Sequence, residues 1–335
     1  MADDEPLLEV ERAFGREGVY TGPEVAERAG LDDEFLRTIR RAQGLPVVEN
    51  DERAYDERDV EAARTLKLLR DAGLSDEGVL DVTRAFSRAM TQVVGAVRTF
   101  VTDELVEPDA PADEVSERLS QAARGLGPQV GPMLGYLFEE HLREQIRSDM
   151  IGQAGPSSAT ARQTKDVCVC FADLVGFTKL GESVEAERLG GIASQLEKLA
   201  AEVAQPPVKL VKTIGDAVML VSPETAPLLD AVLELARRAE DDNSGIPLLR
   251  VGIARGQALN RWGDWYGSPV NLASRVTGVA RPGSVLVTED VKEAAEDGYR
   301  WSFAGARRLK GVHGAVPLHR VRPAEGAEEG VGGRR

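Results

Sequence analysis

An aspartate closes the apolar run of VCVCFADLVGFTKL, Val167 to Leu180. Asp173 stands where the run should end as a strand, and Leu174, Val175, Gly176 and Phe177 follow it. Gly176 marks a turn, whose backbone N–H groups are free to face an anion. A carboxylate there suits a hard cation bound together with phosphate; it equally suits a simple turn or helix cap. A second acid, Asp216, follows Gly215 in KTIGDAVM, at the head of another strand. Two acids at adjacent strand ends can share divalent cations. Lys212 lies four residues before Asp216, on the other arm of the same hairpin. Taken alone, that pair is a surface ion pair across a turn.

A third cluster lies in GDWYGSPVNLASR. The segment 270–279 reads as helix, so Asn271 and Arg275 share a face at i, i+4. The planar fork of Arg275 matches phosphate oxygens. Asp264 precedes Asn271 by seven residues, in an expected loop. Lys310, in RRLKGVHG, stands at a hairpin beside Gly311. Each of these also reads, singly, as solvated surface.

The elements that must position these side chains change character along the chain. The first ~150 residues carry 3.6-type periodicity and read as helices. Thr21 is an expected N-cap with Pro23 and Glu24 in the first turn. Gly30 closes that helix and Asp32 or Asp33 opens the next. Two more helices break at Gly73 and restart at Ser75. Glu107 to Glu114 reads as a loop, with helix resuming at Val115. A strong amphipathic helix is expected from Pro132 to about Met150. A Gly/Ser/Pro/Ala linker follows, GQAGPSSATARQTKD. Strands then alternate with helices: a strand over 167–172, a helix over 185–204, a hairpin at Ile214–Gly215, a helix over 225–241, and a closing hairpin. Two helices covering one face of the sheet point to an α+β sandwich. The division is 1–150 helical domain, 151–166 linker, 167–322 sandwich, and 323–335 disordered tail.

With 335 residues the chain is long enough for two cores. Its net charge of −15 argues against nonspecific nucleic-acid binding. No apolar run reaches the ~20 residues of a membrane span, and the acidic N-terminus lacks a signal-peptide layout, so a cytoplasmic protein is expected. Cys168 and Cys170 would share one strand face and read as core filler.

Together FADLVGFT, VKTIGDAVM and GDWYGSPVNLASRV resemble the three signature blocks of the class III nucleotidyl cyclases, over roughly residues 165–322. The resemblance implies a cyclase homology domain, an α/β sandwich with a mostly antiparallel sheet, behind an all-α regulatory domain. It implies an adenylate cyclase forming cyclic AMP from ATP by two-metal-ion catalysis. Asp173 and Asp216 would hold two Mg²⁺ or Mn²⁺ ions. Lys212 and Asp264 would select adenine, Asn271 would orient the ribose, and Arg275 would stabilise the phosphoryl transition state. Lys310 matches the triphosphate lysine, and Phe177 falls among the substrate-binding residues. A homodimer is implied, with metal acids from one chain and the remaining residues from the other. The loop from Gly256 to Asp264 resembles a reduced dimerisation arm.

The N-terminal half allows two readings. YTGPEVAERAGLDDEFLRTIRRAQGLP and its continuation resemble the winged helix-turn-helix of MerR-type regulators. From Thr21 to Arg88, however, 16 acids face 11 basic residues, which argues against DNA. The whole chain also resembles the mycobacterial pH-responsive adenylyl cyclases, whose helical N-terminal domain inhibits the catalytic one. His141, in FEEHLREQIR, is the residue expected to carry a pH response, though it reads equally as an ordinary helix histidine. An apolar helical domain is also able to hold a lipid or another small ligand.

Overall fold

The computed structural model describes residues 18–105, 111–152 and 164–324, apart from positions 242, 262 and 296. The central part of the expected linker and the expected tail after position 324 lie outside the described residues. The chain divides into two compact units, Met1–Ser157 and Ser158–Arg335.

The first unit is helical. Thr21 and Glu24 form a reciprocal capping box that starts α1 (Gly22–Ala29), and Gly30 ends it at φ 69°. The Asp32 side chain accepts the Phe35 N–H and caps α2 (Asp33–Ala42). α3 (Glu57–Asp71) and α4 (Asp76–Leu105) follow. A single bridge joins Tyr20 to Tyr55. Val25, Ala29, Tyr55, Val60 and Ala63 form one small core, and Phe35, Ile39 and Val79 a second. α5 (Ala112–Gly152) corrects the sequence reading, since it is one helix of 41 residues through both Pro128 and Pro132. Helix therefore begins inside the expected loop, and no new helix starts at Pro132. The two prolines are four apart, so the lost backbone donors fall on one side and the remaining ladder continues.

The second unit is built on an eight-stranded sheet: β1 (Thr164–Leu174), β2 (Lys209–Ile214), β3 (Ala217–Ser222), β4 (Leu249–Arg261), β5 (Asp264–Gly267), β6 (Ser284–Thr288), β7 (Tyr299–Arg308) and β8 (Ala315–Pro323). The order is β2-β3-β1-β4-β6-β8-β7, with β5 paired to β4. Among the described strands only β4 and β6 run parallel, so the sheet is mostly antiparallel as expected. The helices are α6 (Phe177–Leu180), α7 (Ala186–Val203), α8 (Thr225–Glu240), α9 (Ser268–Val279) and α10 (Glu289–Ala294).

Alternation along β1 decides which side chain meets which layer. Cys168, Cys170, Ala172 and Leu174 point into the larger core with Leu196 of α7 and Leu228, Val232 and Leu235 of α8. Both thiols are fully buried and unbridged, and burial pushes both up from the usual thiol range. Val167, Val169 and Phe171 point the other way, onto Ala273 of α9. The sheet is therefore covered on both faces, where the sequence reading placed helices on one. The missed layer is short and its buried side is small, so its apolar stripe is weak in sequence.

Gly252 sets how closely α9 approaches. A Cβ there would meet the Thr277 backbone N at 2.2 Å and the Ala273 O at 2.6 Å. Gly252→Ala is therefore expected to lift α9 and cost about 1–3 kcal/mol of stability, with loss of activity. Denaturant unfolding and turnover measured on the same sample check it; an unchanged midpoint contradicts the close approach.

On the other face Glu234 accepts from Arg237 Nε at 2.7 Å and Arg238 Nε at 2.8 Å, while Arg238 reaches Glu202 of α7 at 2.8 Å. The Arg237 hydrogen bond is the main reason that the Glu234 carboxyl falls from 4.5 to about 2. A depressed carboxyl contributes stability above its unfolded value and loses it as pH falls through the folded one. Between pH 4.5 and about 2 the wild type should thus lose melting temperature more steeply than Glu234→Gln. Parallel slopes in a pH series of thermal melts would remove the residue from acid stability.

Candidate active site

Asp173 is the next residue of β1 after Phe171 on the α9 face, and it is a strand residue because β1 runs to Leu174. Its register partners are Ala217 on β3 and Arg250 on β4. The Arg250 guanidinium donates to Asp173 Oδ2. Burial pushes the Asp173 carboxyl up, the Arg250 bond pulls it down, and the Asp216 charge pushes it up again. Asp216 therefore lies within electrostatic reach. It occupies the β2–β3 turn after Gly215, which takes φ 61°.

This pair fits a divalent cation. Two oxygen-only side chains lie within electrostatic reach of each other, and Asp173 already holds one cationic group. Among the described residues no cluster of three or more His, Cys, Asp or Glu could hold a metal. A cation at Asp173 and Asp216 would complete its shell with substrate phosphate and water, as Mg²⁺ commonly does.

A second group forms elsewhere on the sheet. Lys212 of β2 donates to Asp264 Oδ2 at 2.5 Å, and the Trp265 N–H donates to Oδ1 at 2.8 Å. Lys212 thus pairs with Asp264, across 52 residues, and not with its neighbour Asp216. Both side chains are partly buried, at 37% and 29% exposure. Asp264 corrects the sequence reading, since it begins a strand. Gly256–Arg261 is likewise part of β4 and no loop, because Arg261 pairs with Asp264 and Asn260 with Trp265 in a hairpin. The β-prone Trp265 and Tyr266 make that hairpin.

Asn271 and Arg275 are exposed on one side of α9, opposite buried Ala273, Val276 and Thr277. Pro269 sits in the helix's first turn. Lys310 is exposed in the β7–β8 turn, where Gly311 takes φ 77°. Among the described residues, the side chains of Asn271, Arg275 and Lys310 make no hydrogen bond or ion pair. No such bond joins the Asp173–Asp216 group to the Lys212–Asp264 group either. Phe177 packs, partly buried, against the larger core. His141 is exposed on α5, where Glu140 is taken by Arg143 at 2.6 Å and Glu144 by Arg147 at 3.8 Å.

Sequence reasoning missed Arg250. Its signal was available: an arginine inside the apolar strand LLRVGIARG is rarely buried without a partner.

Comparison with known proteins matches both parts of the chain. Residues 1–146 match the model for an adenylate cyclase regulatory domain, and residues 159–321 that for the adenylate and guanylate cyclase catalytic domain. A pH-sensitive adenylate cyclase of Mycobacterium tuberculosis is 42% identical over 327 residues, covering 94% of this chain and 81% of the relative. An adenylate cyclase of Streptomyces coelicolor is 32% identical, covering 82% and 71%. Among solved structures, the adenylyl cyclase CyaB of P. aeruginosa is 22% identical with a TM-score of 0.41, covering 48% of this chain and 96% of that one.

Proposed function

The chain belongs to the adenylate cyclase family, and we propose that it converts ATP to 3′,5′-cyclic AMP and pyrophosphate at sites completed by two copies of itself. The observation that carries the reading is the Lys212–Asp264 pair. It sets a cationic donor beside a carboxylate acceptor. Asp264 accepts from the adenine amino group while Lys212 donates to a ring nitrogen. Guanine offers a carbonyl where adenine has its amino group, so Asp264 would face it acceptor to acceptor.

The reaction joins the ribose 3′-oxygen to the α-phosphorus, with pyrophosphate leaving in line. Asn271 orients the ribose. One helical turn on, Arg275 places positive charge where negative charge develops. Lys310 holds the triphosphate, and Phe177 borders the substrate turn. Asp173 and Asp216 would hold the Mg²⁺ or Mn²⁺ ions, two to a site. These supply acidification of the 3′-hydroxyl and neutralisation of the phosphates. On this reading the site is homodimeric, with each chain giving one group to each centre.

The division into a regulatory part (1–150), a linker (151–166) and a catalytic part (167–322) belongs to the same reading, as does inhibition by the first part. The fragment starting at Lys165 should turn over faster than the full chain. His141→Ala should flatten the pH profile of the full chain and leave that of the fragment alone; an unchanged full-chain profile removes His141 from regulation.

Asp264→Asn tests the base-reading pair. An amide offers a donor as well as an acceptor, so the preference for ATP over GTP in kcat/KM should fall about tenfold to a hundredfold. Retained discrimination would mean that another contact reads the base.

A further inference from the structure

On the α9 side of the sheet, a cavity of about 230 Å³ is lined by Val279, Arg281, Ser284, Leu286, Phe303, Ala304, Arg307 and Arg320. Three of these are arginines. Among the described residues none of the three has a carboxylate within ion-pair distance, in a chain whose net charge is −15. Arg320 stands opposite Leu286 in the β6–β8 ladder, and Leu286 packs with Val276 of α9 and with Ala280, its C-cap. Its Nε is buried and has no acceptor. Ser284 is committed locally, its hydroxyl donating to the Arg281 carbonyl at 2.7 Å.

Leaving a buried donor unpaired is costly, and converging guanidinium groups repel one another. Arg281 has a local explanation, because it follows the C-terminus of α9, where the helix dipole favours a cation. Arg307 and Arg320 stand on strands and have none. Glu240, the acid beside Gly283, is paired with none of the three. One kind of ligand relieves all of these costs together. A phosphoryl group offers acceptors to several guanidinium forks at once. The cavity has ample room, since one water claims only about 30 Å³.

We propose that Arg281, Arg307 and Arg320 form an oxyanion site for a phosphate or polyphosphate group, separate from the residues assigned to catalysis. The site does not rest on that assignment, since none of its arginines belongs to it. The phosphoryl group comes either from free inorganic phosphate or pyrophosphate, or from a nucleotide.

Calorimetric titration of the full-length chain in EDTA, at fixed ionic strength, tests it. Sodium phosphate, sodium pyrophosphate and AMP are the probes. The chains are wild type, Arg275→Ala/Lys310→Ala, Arg281→Gln/Arg307→Gln and Arg320→Gln. Pyrophosphate binding should persist in Arg275→Ala/Lys310→Ala and weaken about tenfold or more in the other two variants. Arg281 and Arg307 are exposed, so their double variant keeps the test valid if Arg320→Gln unfolds. AMP binding more tightly than pyrophosphate identifies a nucleotide as the source, and the reverse a free oxyanion; either supports the site if it depends on the three arginines. Binding lost only in Arg275→Ala/Lys310→Ala, equal affinity in all four chains, or no saturation below about 1 mM overturns it.

Discussion

Asp173→Ala should abolish cyclic AMP formation, with a fall of about 10³-fold or more in kcat. The size follows from what converges on this one carboxylate. Asp173 is placed by the register of β1 on the α9 face, within electrostatic reach of Asp216. On the proposed reading it is one of two carboxylates, among the described residues, that would hold a cation there. Losing it would remove one of the two proposed cation ligands and leaves Arg250 without its partner. Arg250 is partly buried, so the variant should also be measured for melting temperature. Asp173→Asn keeps the shape and separates the two effects. A folded Asp173→Asn protein at wild-type rate would remove the residue from the reaction.

Two dead variants should revive each other. Asp173→Ala lacks the acidic group, and Arg275→Ala lacks the arginine of α9. If each site draws one group from each chain, neither homodimer holds an intact site. A heterodimer holds one site lacking both residues and one lacking neither. Random exchange of subunits in an equal mixture should then restore about a quarter of wild-type activity. Sites formed within single chains would leave the mixture as inactive as its parts. The same outcome for Asp216→Ala with Lys212→Ala, each inactive alone, would show that the split runs between the two groups, however close Lys212 and Asp216 are in sequence.

Much of the site was legible because strands alternate. The acids, the Lys212–Asp216 spacing and the Asn271–Arg275 pair are all local patterns, and their elements form nearly where the periodicity put them. What sequence could not show was partnership over distance. Lys212 and Asp216 looked like an ion pair across a turn, yet Lys212 reaches Asp264 because the β4–β5 hairpin returns it to the sheet. Arg250 and Asp173 meet only through cross-strand register, which no single strand encodes. The longest helix was misread because Pro128 and Pro132 carry a local stop signal, while the rest of α5 sustains the ladder around them. The layer formed by α9 was hidden because Gly252 and Ala273 make the contact, and small residues leave little hydrophobic trace.

The most direct measurement is chromatographic identification of the product formed by purified full-length protein with Mn²⁺, offered ATP and GTP separately, beside Asp173→Ala. Cyclic AMP from ATP, little cyclic GMP from GTP, and neither from the variant is the expected result. Equal rates with GTP, or cyclic AMP undiminished in Asp173→Ala, would contradict the account.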